Sequence, residues 1–175
     1  MARRYSARRY ARAVFEIALE KERLGEWQSG LEEMARLARD RQGALYLEST
    51  DIKFEDKARL LLDKLGDIEP LVLNLVYLLI TRGRFGMLSD IVDEYQQLLD
   101  DYNNVERAEA TTAFTLDEDD KNRLAKKLGD ITGKTVIVRH KVDRDLLGGV
   151  VVRVGGKLMD GSTRGKLEAL KRELS

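Results

Sequence analysis

The chain has 175 residues, no cysteine, and 31 Lys and Arg balanced by 31 Asp and Glu, so its formal net charge is zero. That length allows one domain or two small ones. The lack of cysteine excludes a disulfide scaffold and thiol chemistry, and the charge balance excludes an overall basic footprint for nucleic acid; the split is mild, 16 Lys/Arg against 19 Asp/Glu up to Asn104 and 15 against 12 beyond it.

Residues 1–12 carry five arginines, Arg3, Arg4, Arg8, Arg9 and Arg12, and no acid. Glu16 and Glu20 interrupt the apolar segment that follows, so a signal peptide does not fit. The arginines read as a solvated helix start, with an acidic partner, anionic lipid or nucleic acid as the alternatives. The spacing predicts a helix over 5–23. Ala11, Phe15, Ala18 and Leu19 make one apolar stripe, and Tyr10, Val14 and Ile17 a second. A helix apolar on two sides has two neighbours, and one of them can be a partner. Gly25 is expected to interrupt it. Trp27, Leu31, Met34, Leu37 and Ala38 then form a second amphipathic stripe, with Trp27 read as packing. Gly43 sets off a short segment, 44–47, and the next helix presents Ala58, Leu61, Leu62 and Leu65.

Pro70 suits the first turn of a helix, where its missing N–H is no loss. The residues that follow, Leu71, Val72, Leu73, Leu75, Val76, Leu78, Leu79 and Ile80, are apolar nearly all round, so that helix is central to a bundle or half-covered by a partner. Its apolar run, 71–80, is too short to cross a bilayer, which needs about 20 residues. The last helix of this half runs over 86–102, with Leu88, Ile91, Val92, Tyr95, Leu98 and Leu99 facing inward. Six helical segments and no strand signal precede Asn103-Asn104, where the character changes. A strand is predicted over 105–116, then a helix from Asp117 with Leu124, Ala125 and Leu128. Thr132-Gly133 ends it, and an alternating strand follows over 134–142. The expected architecture is mainly α: an N-terminal six-helix bundle, residues 1–104, followed by a small α/β domain, residues 105–175.

The densest pattern is 142–170. An apolar run, Val150 to Val154, lies between Gly148-Gly149 and Gly155-Gly156; a short second strand, 157–159, meets Asp160-Gly161, and a helix with Leu167, Leu170 and Leu174 follows from Thr163. A Walker loop does not fit, because only three residues separate Gly161 from Gly165-Lys166 and Leu167 stands where a hydroxyl is needed. No G-x-G-x-x-G is present. An EF-hand fails because Leu147 and Val154 occupy ligand positions. The glycines read as turns and close approaches. His140 is the only histidine and sits among strand valines. The pairs Glu32-Glu33, Asp100-Asp101 and Asp119-Asp120 are adjacent in sequence and diverge on helices. Asp160-Gly161 is first a turn. Neither an enzyme nor a metal site is expected.

The string D-x-x-L-L-G-G-V-V-V-R-V-G-G-K-x-x-D-G-S-x-R-G-K-L, residues 143–167, resembles the C-terminal signature of the delta subunit of F-type ATP synthases, the family that includes the mitochondrial oligomycin-sensitivity-conferring protein. R-x-Y-A-x-A-x-F-x-x-A, residues 8–18, is similar to the opening helix of that family, and the two occur in the family's order. The resemblance spans residues 8–170. It implies a non-catalytic peripheral-stalk stator without cofactor or metal, peripheral to the cytoplasmic face of a bacterial cell membrane. The implied partners are alpha-subunit N-terminal segments for residues 1–104 and the b-type stalk for residues 105–175, with no nucleic acid and no membrane insertion. By matching position, the alpha segment would lie between the first and fifth helices, with Tyr10, Val14 and Ile17 facing Leu75, Leu78 and Leu79. Leu147, Gly148, Gly149, Gly155, Gly156, Asp160, Gly161, Ser162, Arg164 and Leu167 would serve the C-terminal fold and its stalk contact. The density of arginines at the start and Gly165 at the last helix depart from the family pattern. The lack of a long N-terminal extension favours a bacterial protein over an organelle precursor. Residues alone leave two other classes open: a helical adaptor or self-associating protein using residues 71–80, and a nucleic-acid-binding module using the N-terminal arginines.

Overall fold

The computed structural model describes residues 2–65 and 68–163. The chain divides into two compact units, Met1–Leu99 and Asp100–Ser175.

In the first unit α1 spans Ala2–Glu20, α2 Leu24–Arg39, α3 Arg41–Glu48, α4 Phe54–Leu65, α5 Pro70–Thr81 and α6 Leu88–Tyr102, the last preceded by a 3₁₀ turn at Phe85–Met87. Two helix breaks differ from expectation. The first falls at Glu22, with φ +56, and not at Gly25, which lies in the first turn of α2. There the amide of Arg23 returns to the carbonyl of Ala18 at 2.9 Å, closing α1 where its apolar stripe ends. The second is made by Asp40, not Gly43. Its carboxylate accepts from the amides of Gln42 (3.2 Å) and Gly43 (3.3 Å), an N-cap that opens α3 with Gly43 already inside.

The bundle's core follows the stripes, except that on α1 Leu19 is exposed and Val14 is buried. Ala11, Phe15 and Ala18 of α1, Trp27, Leu31 and Met34 of α2, Leu61 of α4, Val72, Val76 and Leu79 of α5, and Leu88, Ile91 and Tyr95 of α6 form one buried cluster. Phe15 and Tyr95 meet edge to face with centroids 5.6 Å apart, and the Tyr95 hydroxyl donates to the carbonyl of Leu24 at 3.0 Å. In α4 the inward stripe runs through Leu60 and Leu61, while Leu62 is exposed, a correction to the expected face. The expectation for Leu65 lies outside the described side chains. Trp27 is buried, as the packing reading required.

In the second unit β1 spans Val105–Thr112, α7 Glu118–Thr132, β2 Thr135–Val142, β3 Val150–Val154 and β4 Lys157–Asp160. The sheet order is β2-β1-β3-β4; β1 and β2 are parallel through the α7 crossover, and the other two pairs are antiparallel. The strand expected over 105–116 stops at Thr112, because Asp117 must turn to cap α7, accepting from the Asp120 amide at 2.7 Å. Gly133, at φ +70, closes that helix. Ala108, Ala110, Val136, Val152 and Val154 bury one sheet face against Leu128 and Leu124. Gly155 and Gly156, at φ +54 and +75, supply the two left-handed positions of a tight β3–β4 hairpin. The expected final helix, with Leu167, Leu170 and Leu174, lies outside the described residues.

Candidate partner-docking surfaces

On α1 the face carrying Ala7, Ala11, Val14, Phe15 and Ala18 is buried. A second face, spaced i, i+4, i+7, i+11, presents Ser6, Tyr10, Ala13 and Ile17. Ser6 and Tyr10 are half-buried, Ala13 is exposed, and Ile17 is 39% exposed. On α5, Val72, Leu75, Val76, Leu79 and Ile80 are buried, whereas Leu78 stands 42% exposed on a face shared with Asn74 and half-buried Leu71. Tyr77, on another side of α5, is covered by Phe54, ring centroids 5.3 Å apart.

The six residues expected to line a groove therefore separate into two sets. Ile17 and Leu78 reach solvent and Tyr10 is half-buried. Val14 (5% exposed), Leu75 (7%) and Leu79 (0%) belong to the bundle's own core and are not available to a partner. The burial follows from periodicity: Val14 falls between Ala11 and Ala18 on the inward side, and Leu75 and Leu79 sit one turn apart, with Val72 and Val76, on the inward side of α5.

A cleft of about 390 Å³ is lined by Ser6, Arg9, Tyr10 and Ala13 of α1 and by Arg82 and Arg84 just after α5. Arg84 Nη1 donates a long hydrogen bond, 3.4 Å, to Tyr10 Oη. Arg9 is one of the N-terminal arginines for which an acidic partner was an alternative reading; Ala13, Arg82 and Arg84 escaped the sequence reading, although Ala13 is recoverable from the spacing of the second stripe.

In the second unit the glycine-rich signature is a device for close approach. The amide of Gly161 bonds the carbonyl of Val150 at 2.9 Å, and the amide of Thr163 bonds that of Gly148 at 3.0 Å. Between these bonds Gly149, at φ +83, leaves no room for a side chain: a Cβ there would lie 2.4 Å from the Gly161 oxygen and 2.8 Å from Ser162 Cα. Asp160 is exposed, and its Oδ1 accepts from the Ser162 amide at 2.8 Å. Hydrogen bonds from the Ser162 side chain and backbone hold the Asp160 carboxyl below the usual carboxylate range. Ser162 is buried, and Leu147 is exposed. Arg164 and Leu167 lie outside the described residues. Beside this turn, Phe114, Leu116, Leu124 and Val150, with Arg123 and Lys127 at the rim, line an open cleft of about 500 Å³.

His140 Nε2 lies 2.7 Å from Thr112 Oγ1, and the Thr112 hydroxyl donates to the Phe114 carbonyl. The imidazole thus braces the end of β1 from β2. Among the described residues no three His, Cys, Asp or Glu side chains converge as metal ligands, and no helix is long and apolar enough to cross a membrane.

A family model described as ATP synthase delta (OSCP) subunit matches residues 7–174. The ATP synthase subunit delta of Dehalococcoides mccartyi (strain ATCC BAA-2266 / KCTC 15142 / 195) is 37% identical, over 97% of this chain and 93% of the relative. That of Moorella thermoacetica is 36% identical, over 99% and 98%, and that of Bacillus thuringiensis (strain Al Hakam) is 37% identical, over 96% and 94%. A chain of the Toxoplasma gondii mitochondrial ATP synthase hexamer shares the fold with a TM-score of 0.65 at 20% identity, covering 96% of both chains.

Proposed function

This chain belongs to the ATP synthase delta (OSCP) subunit family, and we propose that its first unit holds the catalytic head through an alpha-subunit N-terminal helix laid on the α1–α5 face. As a member of that family it is a non-catalytic subunit of the peripheral stalk, working with other subunits of a membrane-associated complex. The second unit holds the b-type stalk, and the assembly stands on the cytoplasmic face of the bacterial membrane. In that position the subunit keeps the head from turning with the rotor, so that ion-driven rotation is converted into ATP synthesis.

The observation that carries the head contact is the pair of exposed apolar side chains, Ile17 of α1 and Leu78 of α5, together with the cleft that α1 forms with Arg82 and Arg84 just after α5. An amphipathic helix docks through anchors at such spacing. Covering each side chain fully contributes on the order of 1 kcal/mol, less than a whole buried Leu or Ile because both are already more than half covered. The open cleft beside Phe114 supports the stalk contact in the same way.

Calorimetric titration of the full chain with the alpha N-terminal peptide of the same organism tests the head contact. Saturable binding is expected for the wild type. Leu78→Asp, at a partly exposed position, should abolish binding while leaving the circular dichroism spectrum unchanged and lowering Tm by only a few degrees. Undiminished binding by a folded Leu78→Asp variant would move the contact off this face.

A further inference from the structure

We propose that the arginine-lined cleft beside Tyr10 seats a carboxylate carried by the docked helix, and so sets the direction in which that helix lies along the apolar stripe. The inference rests on the helix-docking reading above and adds a polar end to it.

Some arginines of the first unit sit near carboxylates, while Arg39, Arg41 and Arg59 pair with none among the described residues; what marks the cleft is that three such arginines line one concavity. Arg8 lies 4.0 Å from Glu94, Arg12 3.2 Å from Glu16, and Arg23 3.0 Å from Glu69. Arg9, Arg82 and Arg84 do not: no carboxylate of a described residue pairs with them, and no acid lines the cleft they share. Arg84 is held by a neutral acceptor, the Tyr10 hydroxyl, at 3.4 Å. Three guanidinium groups around one concavity repel each other in the free protein, and an incoming anion relieves that repulsion. The guanidinium fork also matches a carboxylate's two oxygens, which makes arginine the residue suited to such a seat. Because Tyr10 Oη accepts from Arg84, its own O–H remains to donate toward the same anion.

The position of the cleft selects a carboxylate on a helix over a free anion. Tyr10 and Ala13, which wall it, stand on the same face of α1 as Ile17. The charged seat and the apolar stripe therefore form one track, with Tyr10 and Ile17 about 10 Å apart at the α-helical rise. A helix lying along that track places its acid about seven residues from the side chain that covers Ile17.

The test uses the full chain, the alpha N-terminal peptide, and the same peptide with Asp and Glu replaced by Asn and Gln. Arg9→Gln and Arg82→Gln should each weaken the native peptide about 5- to 10-fold and reduce the salt dependence of binding. Their Tm should stay level or rise, since each removes one of the crowded charges. The amide peptide should bind the wild type with comparably reduced affinity and should no longer distinguish the arginine variants. If Arg9→Gln and Arg82→Gln bind the native peptide as tightly as the wild type while Leu78→Asp abolishes binding, the carboxylate seat is refuted and the docking face stands. If inorganic phosphate binds the free protein at micromolar concentration and Arg82→Gln removes that binding, the occupant is a small anion and the assignment to a helix falls. Absence of any peptide binding to the folded wild type removes the docking face and the seat together.

Discussion

Gly149→Ala should unhinge the β3–turn junction, and its cost can be worked from two terms. At φ +83 an L-residue is strained by about 1–2 kcal/mol. The new methyl would also lie 2.4 Å from the Gly161 oxygen, a backbone atom that cannot rotate away. Relief requires parting residues 148–150 from 161–163, at the expense of the Gly161–Val150 and Thr163–Gly148 bonds, about 1 kcal/mol each. The sum is about 3–4 kcal/mol. Gly156→Ala is the internal control: its φ is +75, but no atom lies within 4 Å of the place its methyl would take, so only the backbone term of about 1–2 kcal/mol applies. The entropy that alanine removes from the unfolded chain is common to both variants and cancels. Amide hydrogen exchange of β3 reads the difference. At a factor of ten per 1.4 kcal/mol, exchange at Val151 and Val152 should quicken several-hundred-fold in Gly149→Ala and about tenfold in Gly156→Ala. Equal acceleration in the two variants would show that the close approach contributes nothing and would refute the reasoning.

Three further outcomes separate packing from surface. Leu79→Ala should cost about 2–5 kcal/mol in a urea titration followed by Trp27 fluorescence, because it opens a cavity in the bundle, whereas exposed Leu78→Ala should cost under about 1 kcal/mol. Tyr95→Phe should cost about 1 kcal/mol at neutral pH through loss of the bond to Leu24. Burial pushes the Tyr95 hydroxyl from 10.0 up to about 12, so its stabilising share is present below pH 10 and is lost as pH rises toward 12; urea midpoints of wild type and Tyr95→Phe should therefore converge over that window. The Asp160 carboxyl is held low by Ser162, so its contribution is present above the ordinary carboxylate pKa and is lost as pH falls through its own lower value. Asp160→Asn should accordingly flatten the acid-side rise in exchange of the Ser162 amide.

Element types were legible because each element keeps a single period along its length. Stripes at 3.6 spacing mark α1, α2 and α6, and alternation marks β2, whose Val136 and Val138 turn inward while Ile137 and Arg139 turn out. Boundaries were less legible where glycine misled. Gly25 and Gly43 look like breaks, yet both sit inside helices. The chain instead turns at Glu22, in a left-handed conformation that the residue type does not announce, and at Asp40, whose cap depends on side-chain geometry. Strand β1 was overextended because Ala113 to Leu116 carry no charge to signal departure, and the stop is imposed from outside by the Asp117 cap.

Which residues of the proposed docking face are exposed was half legible, for a reason rooted in α5. Where nearly every position is apolar, hydrophobicity no longer distinguishes the side that faces the core from the side that faces a partner. Leu78 and Leu79 are the same residue type, adjacent in sequence, and the first is 42% exposed while the second is fully buried. Only the neighbours decide: Gly30 of α2 admits Val72 to within 3.2 Å of its missing Cβ position, which brings the Val72–Val76–Leu79 side of α5 against α2 and turns Leu78 outward. The arginine cleft was illegible for the complementary reason. Arg9 lies far in sequence from Arg82 and Arg84, and a basic stretch at the chain's start gives no sign of which arginines find carboxylates and which converge without one. An apolar side chain left outside the core and a cation left without an acid are each ordinary alone. Placed on one face of α1, within two helical turns, they describe an amphipathic ligand with an acidic group, and that coincidence supports a docking face over a merely tolerant surface.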